Sequence, residues 1–226
     1  MPTLNEVLPK YAEAGNQGLL LAVDEIAQHG YLHEHIHEAI KSQDFVDDNQ
    51  MLGYRHPNGF AKIRLATLPD YGWVVRVHLW DHPAADSDIH CHRWNFASRV
   101  LAGSLTEKTY AISAEGSGPW SKFSCHSERG SYSLGYLGQC DIALQEHLVY
   151  RAGHSYERNA STLHLASSET GSPTVTLFIQ GAALQPATTV VRSSRSAERS
   201  DTAAQAYERD ELAALLQRVL NILSGA

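Results

Sequence analysis

Residues 89–110 read IHCHRWNFASRVLAGSLTEKTY, and this stretch decides the fold. Its histidines, His90 and His92, stand two positions apart ahead of a run that alternates as a strand does. In extended chain, residues two apart point to one face, so the two imidazoles can be directed at one point while Cys91 faces the other way. On a helix the same spacing would set side chains about 200° apart, and chelation would fail. Gly103 interrupts the run where a residue tolerant of positive φ permits a tight bend between strands.

On both sides of this stretch, short β-rich runs alternate with Gly, Pro, Asn and Asp turns: GFAKIRLATL (59–68), WVVRVHLW (73–80), SYSLGYL (131–137), ALQEHLVYRAG (143–153), TLHLAS (162–167) and TVTLFIQGAAL (174–184). Many closely spaced strands without intervening helices predict a mainly β, antiparallel barrel or sandwich. Residues 3–42 instead carry helical spacing, with Leu4, Val7, Leu8 and Tyr11, then GLLLAVDEIAQHG (18–30) and YLHEHIHEAIKS (31–42). The spacing therefore predicts a helical layer over 1–50, a barrel over 51–185, and a loop plus helix over 186–226, together making one domain. The polar run QPATTVVRSSRSAERSD (185–201) is expected to be a connecting loop. In the final helix Leu212, Leu215, Leu216, Val219, Leu220 and Leu223 form an apolar stripe that would pack on the barrel or, alternatively, make a dimer contact.

A chain of 226 residues is long enough to bury a core without covalent staples. Its formal charge of −7 argues against a broad phosphate-binding surface, so no nucleic-acid partner is expected. Cys91, Cys125 and Cys140 are odd in number and form no CxxC, which fits a reducing compartment rather than a disulfide framework. With an acidic N-terminus and no bilayer-length apolar run, the expectation is a cytoplasmic protein with no membrane partner. It would be a monomer or homodimer.

The chain has 13 histidines, so each cluster needs its own reading. His33, His35 and His37 fall in a helical pattern where only His33 and His37 share a face, which reads as a solvated helix surface. A third ligand for His90 and His92 has two downstream candidates, His154 and His164, of which His164 lies within a strand-like run.

Taken together, IHCH, the strand ending VLAGSLTEKTY, and Tyr156 followed through YERNASTLH to His164 resemble the two motifs of the cupin superfamily, and more closely those of its cysteine dioxygenase-like, three-histidine thiol dioxygenases. The resemblance covers roughly residues 54–185, and the helical N-terminus is similar as well. It implies a cupin-type jelly-roll barrel with iron(II) held by His90, His92 and His164, other divalent metals also suiting imidazole. The RWNFAS after IHCH has no carboxylate where cupins commonly place a glutamate, so the resemblance favours three histidines alone.

By the same resemblance, Trp80 lines a substrate pocket, which would turn His78 into it too; alternatively Arg76 and His78 face solvent while the valines fill the barrel. An early-strand arginine holds the substrate carboxylate in that family, and Arg64 matches better in distance than Lys62. Phe96, Tyr156 and Phe178 are expected to join Lys62, Arg64 and Trp80 in binding substrate, with Arg64, His78 and Gln180 taking catalytic roles. The resemblance breaks in two places. Phe96 or Ala97 stands where some members carry a cross-linking cysteine, and Thr176, Phe178 and Gln180 replace a Ser, His and Tyr on one strand. The expected function is a mononuclear non-haem iron oxygenase using dioxygen on a small polar thiol, amino acid or specialised metabolite. A non-redox cupin isomerase, cyclase or lyase and a non-enzymatic binding cupin are the alternatives.

Overall fold

The computed structural model describes residues 3–28, 30–42, 53–128, 131–168, 171–193 and 205–225. The expected helix-to-barrel boundary near residue 50 and most of the polar run after residue 193 lie outside the described residues.

Four helices open the chain: α1 (Leu4–Val7), α2 (Pro9–Ala12), α3 (Asn16–Gln28) and α4 (Tyr31–Lys41). Strands follow as β1 (Gly53–Arg55), β2 (Ala61–Leu68), β3 (Trp73–Trp80), β4 (Ala84–Ala85), β5 (Ile89–His90), β6 (Trp94–Ala102), β7 (Ser104–Glu128) and β8 (Ser131–Arg151). Then come β9 (Ser155–Arg158), β10 (Leu163–Ser168), β11 (Thr174–Ala183), β12 (Thr188–Arg192) and β13 (Gln205–Ala206), and α5 (Arg209–Ser224) closes the described chain.

The strands form two antiparallel sheets, ordered β13-β1-β2-β3-β11-β6-β9 and β4-β10-β5-β12-β7-β8. If β4 and β5 count as one strand, the barrel has eight successive strands from β3 to β11. One sheet then runs first-eighth-third-sixth and the other second-seventh-fourth-fifth, the double Greek key of a jelly roll. Gly103 makes the corner between β6 and β7 with φ of 74°, and a Cβ there would come within 2.6 Å of the Pro173 carbonyl oxygen.

Period-two burial gives the first sheet two working faces. Trp73, Val75, Val77 and Leu79 of β3 join Val175, Leu177 and Ile179 of β11 beneath Leu19, Val23 and Ile26 of α3. The α3 residues recur at helical spacing, so one apolar stripe covers the sheet. Truncating Ile26 to Ala would cost about 2–5 kcal/mol because its surroundings collapse only in part. The alternate residues, His78 and Trp80 on β3 and Thr176 and Phe178 on β11, face the barrel interior. The α5 residues Leu212, Leu216, Val219 and Leu220 are buried in the same apolar core.

Two expectations change. Part of the polar run read as a loop is strand β12, which pairs with β5 and with the second half of β7. The separate runs at 131–137 and 143–153 are one long strand, β8, paired along β7. An irregularity between Glu115 and Trp120 lets β7 serve two neighbours, β10 before it and β12 after it. β8 ends its sheet, and Tyr136, Leu137, Leu144, Leu148 and Val149 are exposed along it. Among the described residues, no helix is long and apolar enough to cross a membrane.

Candidate metal centre

Sheet pairing brings the motif histidines together. His90 lies directly across from His164 on β10 and from Val190 on β12, so the two-residue strand β5 is held from both sides. His92 falls just beyond β5, where its backbone N–H donates to the Ala160 carbonyl and its own carbonyl accepts from Gln185 Nε2 at 2.6 Å. Cys91 turns away into a separate apolar cluster, its Sγ accepting the Thr189 N–H at 3.1 Å. The spacing argument thus gives the right facing, although regular strand stops at His90.

Each of His90, His92 and His164 offers a ring nitrogen within 4.8 Å of the others. Their tautomers follow from acceptor-only partners. His90 Nδ1 is 3.0 Å from the Asp88 carbonyl and His164 Nδ1 is 2.7 Å from Glu107 Oε1, so both rings carry their proton on Nδ1 and leave Nε2 bare. His92 Nε2 lies 3.0 Å from His164 Nε2. Two imidazoles at right angles on one ion, each bound at about 2.1 Å, are also about 3.0 Å apart. The donor set therefore fits a divalent ion on an imidazole face.

Glu107 anchors this arrangement from behind. Its side chain is fully buried, with Oε1 on His164 and Oε2 accepting from Arg158 Nη2 at 2.7 Å and Nε at 3.1 Å. Burial alone would raise its carboxyl, but hydrogen bonds and charge from His164 and Arg158 outweigh that and hold it below the ordinary value. A carboxylate behind a ligating imidazole sets ring orientation and makes the ring a stronger donor. Burial, assisted by the neighbouring histidines, lowers the His92 imidazole well below its usual range; burial also lowers His90, against the pull of Asp86. Both are held neutral, the form that binds metal.

Two adjoining cavities meet at the histidines. The inner one, of about 70 Å³, is walled by Phe60, Trp80, Phe96, Tyr156 and Phe178, with His78, Ser98, Thr176 and Asp86 among its polar residues. The outer one, of about 270 Å³, is lined by Tyr54, Asn58, Arg76, Asp88, Arg93 and Trp94 among others. His56, Lys62, His90 and His92 line both. Aromatic contacts connect the inner walls: Phe60 stacks on Trp80 at 4.1 Å, Phe96 on Phe178 at 4.7 Å, and Phe96 meets His92 edge-on at 5.0 Å.

Most residues expected around the metal lie here, with three differences of position. Lys62 lines both cavities, whereas Arg64 is about 7 Å farther along β2 and lines neither. Its register partner is Arg76, while that of Lys62 is His78. Gln180 is buried outside both cavities, where its Oε1 accepts from Arg76 Nη1. His154, the other third-ligand candidate, is exposed, and its Nδ1 accepts the Arg151 N–H.

His78, Tyr156 and Ser98 come from β3, β9 and β6, and all line the inner cavity. The Tyr156 phenol is kept protonated, chiefly by burial and then by the charge of Glu107.

Sequence reasoning gave no role to Glu107, Arg158, His56 or Phe60. Glu107 stands inside the quoted motif, but its role depends on His164, 57 residues away. Phe60 follows a turn and offers no period by which to place it.

No protein-family model matches the chain, and no curated protein matches it. Solved structures similar to it include Drosophila melanogaster CENP-C bound to CAL1, at 12% identity over 68% of this chain and 98% of that one, with a TM-score of 0.38. A cupin superfamily protein from Desulfitobacterium hafniense is 9% identical over 56% of this chain and 81% of that one, with a TM-score of 0.31. Oxalate oxidase in complex with glycolate is 14% identical over 59% of this chain and 55% of that one, with a TM-score of 0.34. At these identities and scores the likeness assigns no activity.

Proposed function

We propose that the chain is a metal-dependent enzyme of the three-histidine cupin type, a mononuclear non-haem iron oxygenase acting on a small polar molecule. The observation that carries this reading is the cage of His90, His92 and His164, with two of its rings oriented from behind by Asp88 and Glu107. Iron(II) held there would supply open coordination positions at which a small ligand and dioxygen come together. Three neutral imidazoles bring no charge of their own, so an anionic ligand gains the full attraction of the ion.

The chain's own residues then perform separate tasks. Phe60, Trp80, Phe96, Tyr156 and Phe178 exclude bulk water from the inner face, which strengthens every polar contact made there. Tyr156 keeps its phenolic proton as a hydrogen-bond donor. His78 is held neutral, by burial first and then by the positive charges of Lys62 and Arg76, so its imidazole faces the cavity as an uncharged hydrogen-bonding group. Lys62 lines both cavities, and burial, with the charge of Arg76 after it, lowers its ammonium to about 7, so it can serve either as a cation or as a neutral amine beside the cage.

The test is metal analysis of the purified protein together with oxygen consumption across thiols, amino acids and short carboxylic acids. About one iron per chain and substrate-dependent oxygen uptake, both lost in His92→Ala, are expected. Turnover under argon with zinc in the site would replace this reading with a non-redox isomerase or lyase.

A further inference from the structure

Two of the three cage imidazoles are held from behind by an acidic residue, and each acidic residue is held in turn by an arginine. For His164 the connection runs through the Glu107 carboxylate to Arg158. For His90 it runs through Asp88, whose backbone carbonyl accepts from Nδ1 at 3.0 Å while its carboxylate accepts from Arg192 Nε at 3.0 Å and Nη2 at 2.6 Å. The first connection is made by side chains throughout. The second passes through the main chain, so the aim of His90 depends on what fixes the Asp88 peptide.

That peptide lies beyond the regular ladder. β12 pairs with β5 at Val190↔His90 and Val191↔Ile89, and Asp88 stands one residue outside β5. Continued by one step, the register sets Arg192 against Asp88, and there the two side chains supply a cross-strand link. Their side chains are only 11% and 13% exposed, so salt screens the pair little. A guanidinium that meets a carboxylate through two nitrogens fixes angle as well as distance. The held carboxylate and the carbonyl that faces His90 share one Cα.

Arg192 is itself firmly seated. Its guanidinium lies over the ring of the buried Phe123, 5.8 Å from the centroid, and its register partner on β7 is Ser121. Asp88 lines the outer cavity beside His90 and His92, whereas Arg192 lines neither cavity. Any influence it has on the cage is therefore exerted through Asp88.

We propose that Arg192 is a positioning residue for the metal centre, acting through Asp88 to hold the His90 imidazole in its ligating tautomer. With the Asp88 carbonyl fixed, the His90 proton stays on Nδ1 and Nε2 stays bare for the cage. Without Arg192 the peptide ahead of β5 is free to turn, and the ring loses its reason to prefer one tautomer. His164 keeps its own support from Glu107, so the loss is confined to one ligand. Only the expected effect on metal affinity rests on the reading of the cage as a metal centre; the effect on His90 belongs to the metal-free chain as well.

The experiment follows the histidine ring nitrogens of the metal-free full chain by nitrogen-15 NMR, and metal affinity by competition with a chelator. In Arg192→Met, His90 should pass from one tautomer to a mixture, seen as a shift of both its ring nitrogens, while the His164 nitrogens stay in place. Metal affinity should fall about tenfold. Arg192→Lys, which keeps the charge but not the fork, should recover part of both. Unchanged His90 nitrogens in Arg192→Met overturn the proposal, and so do equal shifts at His90 and His164, which mark a general loss of structure. If Arg192→Met does not fold, Asp88→Asn, with nearly the same shape and the same backbone carbonyl, makes the comparison in its place. Failure of the metal reading looks different: the wild type would bind no metal, yet His90 alone would still shift in the variant.

Discussion

The chain places histidines at alternate positions twice, as HEHIH at 33–37 and as HCH at 90–92, with opposite outcomes. In α4 the helical period separates His35 from its neighbours: His33 and His37 approach at 4.9 Å between ring centroids, while His35 reaches across to the Leu65 carbonyl at 2.9 Å. At β5 the extended backbone turns His90 and His92 to the same side, and β10 delivers His164 against them. Both places have histidines at alternate positions. Backbone period and a partner strand make the difference, so a histidine count says little until the backbone beneath it is known.

The most severe way to break the contrast is to remove a cage member. His164→Ala should abolish stoichiometric metal binding, measured by elemental analysis, whereas the double change His33→Ala, His37→Ala should leave the metal content unaltered. Metal retained without His164 would mean that the ion is held elsewhere.

Next in size is the support behind the cage. Glu107→Gln keeps the shape but loses the charge that faces both His164 and Arg158. Metal affinity, read by competition with a chromogenic chelator, should fall about 10- to 100-fold. An unchanged affinity would leave Glu107 as structural only.

Acid gives a third comparison. Burial lowers His78, His90 and His92 relative to the usual 6.5, so as pH falls through that value the unfolded chain takes up protons that the folded chain refuses. The stability of the metal-free protein is therefore fully present above about pH 6.5 and decreases below it. Urea midpoints at pH 7.5 and 5.5 measure the effect, and a flat profile would contradict buried neutral imidazoles.

The smallest effects belong to the helix. His35→Ala should cost about 1 kcal/mol through its lost bond to the Leu65 carbonyl. His37→Ala should stay within about 0.5 kcal/mol. Thermal melts at fixed pH can resolve the pair, and a larger loss at His37 would show that the two helix positions are misassigned.

Much of the barrel was legible because period-two burial and turn residues are local signals. The IHCH pair, the Gly103 corner and the strand around His164 all declare themselves within a few residues. The polar HEHIHE segment was read as solvated helix, and it is helix, but His35 spends its ring on the barrel. That contact depends on how a helix seats on a sheet, which local pattern does not encode. The same is true of the choice between Lys62 and Arg64, which share a face and differ only in depth. β12 was missed because TTVVR sits in a Ser/Arg-rich context, and its place is set by open edges on β5 and β7.

β12 also has a consequence in time. A chain emerging from the ribosome presents His90 and His92 early, while their third partner follows 72 residues after His92. The strand that flanks His90 from the other side comes later still, at Val190. At about 5–20 residues per second, several seconds pass in which the first pair exists without the rest of its cage. Metal capture by the set with both flanking strands in place therefore waits until β12 has been translated, which makes the centre a late product of synthesis rather than an early one.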